Sequence, residues 1–396
     1  MYNDLLESAK RELTLQREQY RYLHSRPEVG LSLSGTVEFV SEKLREAGLE
    51  TVEQLCGGVV ATVGEGEESI LLRADMDALD IREETDLEFA SKNGAMHACG
   101  HDMHTAMLLS AARLLKEREG ELSGRVVLCF QPGEETLSGA KKMLEAGLIE
   151  KTGATKAVML HALTATDFPA GTVIIPPSGV GAAGADFFRI DVLGKGCHGS
   201  TPYLGKDPIL ALAAMISALS SLTSREVDSQ SGAALTLGMI RGGSSSNVIP
   251  ERACAFGTLR SYDDGERELL RERLVGICAH IGKALRCEGG VEFTSGAPSF
   301  LNDMALREMA IKALDREGIP TYLVPEGKKG GGSEDFAYVS RKIPSLMLCI
   351  SAGERKKGFN EPLHSPRAVF DEAALPFGAA AYAAVALCSL FGDTTM

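Results

Sequence analysis

The order of strand and helix signals constrains this chain most, because a regular alternation is interrupted midway by a second, self-contained series. Short apolar runs rich in β-branched residues, "VVATVGE" (59–65), "SILLRADMD" (69–77), "GRVVLCFQP" (124–132) and "KAVMLHA" (156–162), predict strands. Helical periods lie before and between them, at about 3–23, 35–47, 105–118 and 138–148. Such alternation predicts an α/β domain, a mixed sheet with helices on both faces. After the breaker "PPSGVGAAGA" (176–185) the order becomes strand 186–196, helix 207–224, strands 234–243 and 253–262, helix 264–285 and strand 290–296. That is the βαββαβ order of a ferredoxin-like unit, and the alternation then resumes with helix 302–317. The expected organisation is a large domain in two parts, 1–185 and 298–396, with a smaller domain, 186–297, inserted into it.

A length of 396 residues agrees with two domains, since a single core stops growing at roughly 250–300 residues. The formal net charge of −13 opposes a nucleic-acid partner or an anionic membrane, either of which would repel such a surface. Nine scattered cysteines without a C-x-x-C pair suggest reduced thiols and a cytoplasmic location. The N-terminal segment is charged throughout and has no apolar run of the signal-peptide kind. The long apolar stretch 373–391 carries Pro376, Gly378 and many alanines, so it predicts a buried helix rather than a membrane span.

The chain has eight histidines, and three of them fall in "HACGHDMHTAM" (97–107) with a cysteine and an aspartate. This segment lies between a predicted strand and a predicted helix, where α/β sheets form their ligand crevice. Glu134 and Glu135 in "FQPGEET", His161 in "VMLHAL" and His364 in "EPLHSP" fall at similar places. Taken singly, each has an ordinary explanation: a small buried thiol, a solvated acidic pair, a hydrogen-bonded core histidine. Together they supply thiolate, imidazole and carboxylate, the side chains that bind zinc and related ions. Two carboxylates straight after an apolar strand would also be costly to desolvate unpaired.

Nine stretches in order resemble one family: "HSRPEVG" (24–30), "RADMDAL" (73–79), "MHACGHDMHTAM" (96–107), "FQPGEE" (130–135), "GKGCHGSTP" (194–202), "NVIPE" (247–251), "GTLRS" (257–261), "GGSEDFAY" (331–338) and "LHSP" (363–366). They resemble the N-acyl-amino-acid amidohydrolases of the aminoacylase and carboxypeptidase-like metallopeptidases. The subgroup is that of hippurate hydrolase, auxin-conjugate hydrolases and N-acetyl-diaminopimelate deacetylase. The resemblance implies a two-metal, exopeptidase-like catalytic domain with an inserted lid. It implies Cys99, His101, Glu135, His161 and His364 as metal ligands and Glu134 as the general base toward metal-activated water. Asp77 and Asp102 would stand behind the ligands and orient imidazoles, while His97, His104 and Asp75 receive no role. Gly133 departs from the family pattern, which usually has alanine there.

Within the inserted domain, His198 is the candidate donor to the oxyanion of acyl transfer, brought to the metals by lid closure or by a partner subunit. Arg260 and Asn247 are candidates for a substrate carboxylate, which suits arginine's fork. The expected cofactors are two divalent ions, zinc or manganese foremost, with nickel or cobalt as alternatives. The expected substrate is an N-acyl amino acid, cleaved to a carboxylic acid and a free amino acid. A dipeptidase would need a site for a free α-amine, and a metal-storage module would have no use for Glu134. The uncharged helix 208–224 suggests a homodimer formed through the inserted domain. The glycine-rich "KKGGGSEDF" (328–336) lacks the P-loop spacing; it predicts close backbone approach to substrate, with Ser333, Glu334 and Asp335 capping the next helix.

Overall fold

Apolar runs become the centre of an eight-stranded sheet in a computed structural model that describes residues 4–49 and 52–390. Its strands include β1 (Val52–Leu55), β2 (Gly58–Val63), β3 (Ser69–Asp75), β4 (Arg125–Gln131), β5 (Lys156–Leu163) and β6 (Val173–Ile175). The spatial order is β1, β2, β4, β3, β5, Ser345–Ser351, β6 and Thr321–Leu323. β3 runs parallel to both β4 and β5, whereas β2 is antiparallel to β4, so the sheet is mixed. Every residue of β3 is buried. Successive side chains point to opposite faces of a strand, so both faces of the sheet are covered at its centre. Helix His101–Glu117 packs on β3 and β5, and helix Leu375–Leu390 packs on that helix and on β3. The stretch Glu372–Leu390 is apolar and long enough to cross a membrane, yet 78% of it is buried inside this unit.

β3 and β5 pair only as far as Arg73 and Met159. Just beyond, the buried Tyr382 hydroxyl donates to Arg73 O at 2.6 Å and accepts the Leu160 N–H at 3.0 Å. The two strands part there, which opens the crevice that parallel sheets form at their carboxyl ends. Arg73 itself is buried, a full charge inside an apolar strand. Its guanidinium donates to Asp75 (2.6 Å), to Gln131 (3.0 Å) and to Asp335 (3.3 Å), so the cation is paired as burial demands.

The chain divides into two compact units, one comprising residues up to Gly181, Leu301–Lys329 and those from Asp335 on, the other Ala182–Phe300 and Gly330–Glu334. The second therefore begins a few residues before 186 and ends a few after 297, and it also takes up five glycine-rich residues expected in the large domain. Those five join it through backbone and side chains: Ala183 N–H donates to Gly332 O (3.1 Å), and Tyr262 Oη donates to Gly330 O (3.1 Å).

The second unit has four antiparallel strands in the order Ala234–Gly242, Arg252–Ser261, Gly184–Leu193, Glu288–Ala297. Strands two, three, one and four of the series thus lie side by side, the split-βαβ arrangement. Helices Pro208–Leu219 and Asp264–Ala284 pack on this sheet. Phe188, Ile190 and Val192 form its core with Leu212, Met215, Leu270 and Leu274, spaced by two on the strand and by three or four on each helix.

Candidate metal centre

The segment after β3 leaves the sheet and returns through a two-way backbone pair between Leu79 and Met96, 3.0 Å in each direction. This closure brings Asp77 beside the run His97–Cys99. Gly100 then turns into the helix with φ +83°, where an added Cβ would lie 3.0 Å from the Phe370 ring, so glycine is required and His101 becomes the first helical residue. A second turn follows β4. Gly133 has φ +67°, and a Cβ there would meet the Leu31 side chain at 2.6 Å, so the turn favours glycine.

Asp77 organises both turns. Its carboxylate accepts the N–H of Glu134 (3.0 Å) and of Glu135 (3.1 Å), while its backbone carbonyl accepts Nδ1–H of His101 (2.8 Å). A carbonyl can only accept, so His101 keeps a proton on Nδ1 and turns Nε2 inward, where a metal ion would stand in place of any second proton. His161 does the same, donating Nδ1–H to Ala162 O at 2.8 Å and leaving Nε2 3.5 Å from Cys99 Sγ. His364, held in a left-handed conformation with φ +65°, donates its backbone N–H to Ala98 O (2.9 Å) and places Nε2 3.4 Å from Glu135 Oε1.

His101 Nε2 lies 3.8 Å from Glu135 Oε1, 4.0 Å from Glu134 Oε2 and 3.6 Å from Asp75 Oδ2. Neither His101 Nε2 nor Glu135 Oε1 has a hydrogen-bond partner among the described residues, although both are buried. Donor atoms of Cys99, His101 and His161, of Cys99, Glu135 and His364, and of His101, Glu134 and Glu135 lie within 4.8 Å of one another in each trio. Two orphaned buried donors facing a thiol, two further imidazoles and a second carboxylate are what a pair of divalent cations would satisfy.

The charges respond to this crowding. Burial pushes the Cys99 thiol up, but the charge of His161 and the close imidazoles of His101, His161 and His364 outweigh it and draw the thiol down to about 6. Burial likewise lowers His161, and the Cys99 thiolate reverses this, lifting the ring to about 9. A thiolate is the form a metal binds.

The residues left without a role now have surroundings. His104 places Nδ1 2.5 Å from Asp75 Oδ1, and its Nε2 accepts the Ala162 N–H at 2.6 Å, so both nitrogens are engaged and neither is offered to a metal. It fixes Asp75 and the backbone beside His161 instead. Burial pushes the His97 ring down to about 4, and neither of its nitrogens has a partner among the described residues. Asp102 departs from its expected place: its carboxylate lies not on a ligand imidazole but 2.6 Å from Nδ1 of His24. Asp335 also departs. It caps no helix after it; its Oδ2 accepts the N–H of Ala140, in the first turn of helix Gly139–Glu145, at 2.8 Å.

His198, Asn247 and Arg260 belong to the second unit. His198 and Val248 pair in a two-stranded ladder, and Gly199 N–H donates to Asn247 O at 2.7 Å, so His198 and Asn247 share one exposed ladder. His198 Nδ1 accepts the N–H of Ser200 (3.1 Å), which puts the proton of the neutral ring on Nε2. Arg260 donates to Ser333 Oγ at 2.8 Å and to Gly331 O at 3.4 Å, within the glycine-rich segment.

The family model of peptidase family M20/M25/M40 matches residues 71–387. The chain belongs to this family. As an M20 peptidase it is a metal-dependent hydrolase, and its similarity extends along nearly its whole length. It is 37% identical over 359 residues to N-acetyl-L-cysteine deacetylase of Bacillus subtilis (strain 168), covering 90% of this chain and 83% of that one. It is 36% identical over 374 residues to IAA-amino acid hydrolase ILR1-like 4 of Arabidopsis thaliana, covering 92% and 83%. Among solved structures, a dinuclear metal binding peptidase from the M20 family, from Bacillus subtilis, superposes with a TM-score of 0.78 at 32% identity, covering 96% of this chain and 99% of that one.

The placement of Asp77 in this M20 peptidase yields a direct test. Asparagine in its place offers one carboxamide oxygen where two carboxylate oxygens accept the Glu134 and Glu135 N–H groups. Asp77→Asn is expected to weaken metal binding about 10–100-fold, as loss of groups behind metal ligands does. Chelator competition measures this, and circular dichroism should show the fold retained.

Proposed function

We propose that this M20 peptidase hydrolyses the amide bond of N-acyl amino acids, with Cys99, His101, Glu135, His161 and His364 holding two divalent ions and Glu134 moving the proton. The observation that carries this reading is the single Asp77 carboxylate fixing two consecutive glutamates, both of which bring a carboxylate oxygen within 4.0 Å of the unpartnered His101 Nε2. One glutamate is thereby free to ligate and its neighbour to act as base. Bound divalent ions would supply Lewis acidity, making water acidic enough to ionise near neutral pH and polarising the acyl carbonyl. Glu134 takes the proton from water and returns it to the departing amide nitrogen, leaving a carboxylic acid and a free amine. A thiolate and three imidazoles favour zinc, cobalt or nickel, and the carboxylate admits manganese.

The second unit acts, in this reading, as a lid. Nε2–H of His198 is the donor to the oxyanion, and Arg260, steadied by Ser333, meets the substrate carboxylate; Asn247 stands with His198, toward the other end of strand Arg252–Ser261 from Arg260. Nine free cysteines support a reducing, cytoplasmic setting. A second copy of the chain covers an apolar edge of the same unit. Strand Ala234–Gly242 is an outer strand with Met239 and Ile240 exposed at 41% and 59%, and Ile209 and Leu210 on the nearby helix are exposed at 44% and 58%. Open sheet edges and apolar patches of this kind are usually covered.

Glu134→Gln should retain two equivalents of metal and lose turnover of acyl amino acids by about 10²–10⁴-fold, the usual contribution of a general base. Unchanged turnover with metal in place would remove Glu134 from the reaction. His198→Ala and Arg260→Ala should also keep their metal, the arginine variant losing more rate on an acyl amino acid than on its carboxamide. Sedimentation should give a dimer for the parent chain and a monomer for Ile240→Lys; a monomeric parent chain rules out the pairing.

A further inference from the structure

His24 ends helix Leu13–His24 far in sequence from every proposed ligand, and its ring is fully buried. Tyr20 and Phe89 enclose it, with ring centroids 5.6 and 5.3 Å away. Nδ1 lies 2.6 Å from Asp102 Oδ2 and Nε2 lies 3.1 Å from Glu83 Oε1. Burial works against a charge on this ring, but the hydrogen bonds and charges of Asp102 and Glu83 outweigh it and raise the ring to about 9. His24 is thus an imidazolium at neutral pH, donating from both nitrogens.

Each carboxylate leads to a different ligand-bearing segment. Asp102 directly follows His101, and its second oxygen accepts the Met103 N–H at 2.8 Å, which ties the ion pair to the first turn of the helix. Glu83 accepts the Ser91 N–H at 2.6 Å and the Thr85 hydroxyl, which fixes the loop between Leu79 and Met96. The adjoining Glu84 donates its N–H to Pro366 O at 2.8 Å, and its carboxylate lies 3.6 Å from Arg367. His364, two residues before Pro366, is bonded in turn to Ala98 O at 2.9 Å. One buried cation therefore stands between the turn that carries Cys99 and His101 and the loop that carries His364.

We propose that His24 is a positioning residue, bracing from behind the 99–101 turn and the 364 loop so that their donors stand at metal spacing before metal arrives. The proposal rests on the ligand assignment above. Removing the ring leaves two buried carboxylates facing each other without a cation, and relaxation of either one moves a ligand-bearing segment. An entirely structural role would lower stability without changing metal affinity in the molecules that remain folded.

Zinc affinity measured by chelator competition on the full chain, without substrate, separates these cases. His24→Gln is expected to bind zinc about 10–100-fold more weakly, the range found when groups behind metal ligands are lost. The double variant His24→Gln/Asp102→Asn should lose less affinity than the two single losses combined, because the changes share the His24–Asp102 contact. Leu44→Ala, a cavity in the buried core, supplies a variant of lowered stability and should keep the parent affinity. Affinity within twofold of the parent in His24→Gln, or an equal loss in Leu44→Ala, overturns the proposal. Should His24→Gln fail to fold, Glu83→Gln tests the same brace, with weakened zinc binding expected and parent affinity overturning it. Cys99→Ser measured alongside keeps the two readings apart: unchanged zinc binding there sinks the ligand assignment, whereas a loss there with none at His24 sinks only the brace.

Discussion

Negative charge buried at the end of β3 is the constraint around which this molecule is built. Asp75, Asp77 and Glu134 are all buried there, Glu135 is largely so, and the Cys99 thiol is drawn toward its ionised form. Carboxylates in a low-dielectric interior need cations or a full set of donors. Part of the need is met internally: Arg73 pairs with Asp75 and Asp335, two backbone N–H groups satisfy Asp77, and His24 stands between Asp102 and Glu83. What remains is a group of inward-facing donors, His101 Nε2 and Glu135 Oε1 among them, that have no hydrogen-bond partner among the described residues. Divalent ions would complete this arrangement.

The fold makes the crowding possible. β3 lies between β4 and β5 and parts from β5 after Arg73, so segments leaving all three strands meet over one crevice. Glycines at 100 and 133 give two of those segments sharp turns that other residues would resist. The histidines are then set by carbonyl acceptors at Asp77 and Ala162, which choose the tautomer and aim Nε2. Specific geometry thus comes from backbone carbonyls and one shared carboxylate, while the candidate metal-binding side chains come from a strand end, a helix start and the turns between.

Much of this was legible in the sequence because it is local. Alternating strand and helix patterns are local signals, as is the βαββαβ order of the inserted series. The crowding of histidines around Cys99 and the pair Glu134–Glu135 after an apolar strand can likewise be read within a dozen residues. Pairings over long distances were not legible. Arg73 and Asp335 are 262 residues apart, and His24 and Asp102 are 78 apart, and nothing in either neighbourhood specifies its partner. A signal did exist for the first: an arginine within "SILLRADMD", otherwise an apolar strand, demands a buried acid somewhere. The assignment of Asp102 to a ligand imidazole failed for the same reason, since adjacency to His101 says nothing about which way the carboxylate turns. Residues 330–334 pack with the inserted unit because their backbone finds hydrogen-bond partners there, which composition alone does not encode.

The central claim is that Cys99 and three histidines share metal ions with Glu135. X-ray absorption on the zinc-loaded protein tests it most directly. The account requires a sulfur scatterer at about 2.3 Å together with nitrogen or oxygen at about 2.0–2.2 Å, with the sulfur contribution lost in Cys99→Ser. A spectrum of the parent protein containing only nitrogen and oxygen neighbours would contradict it.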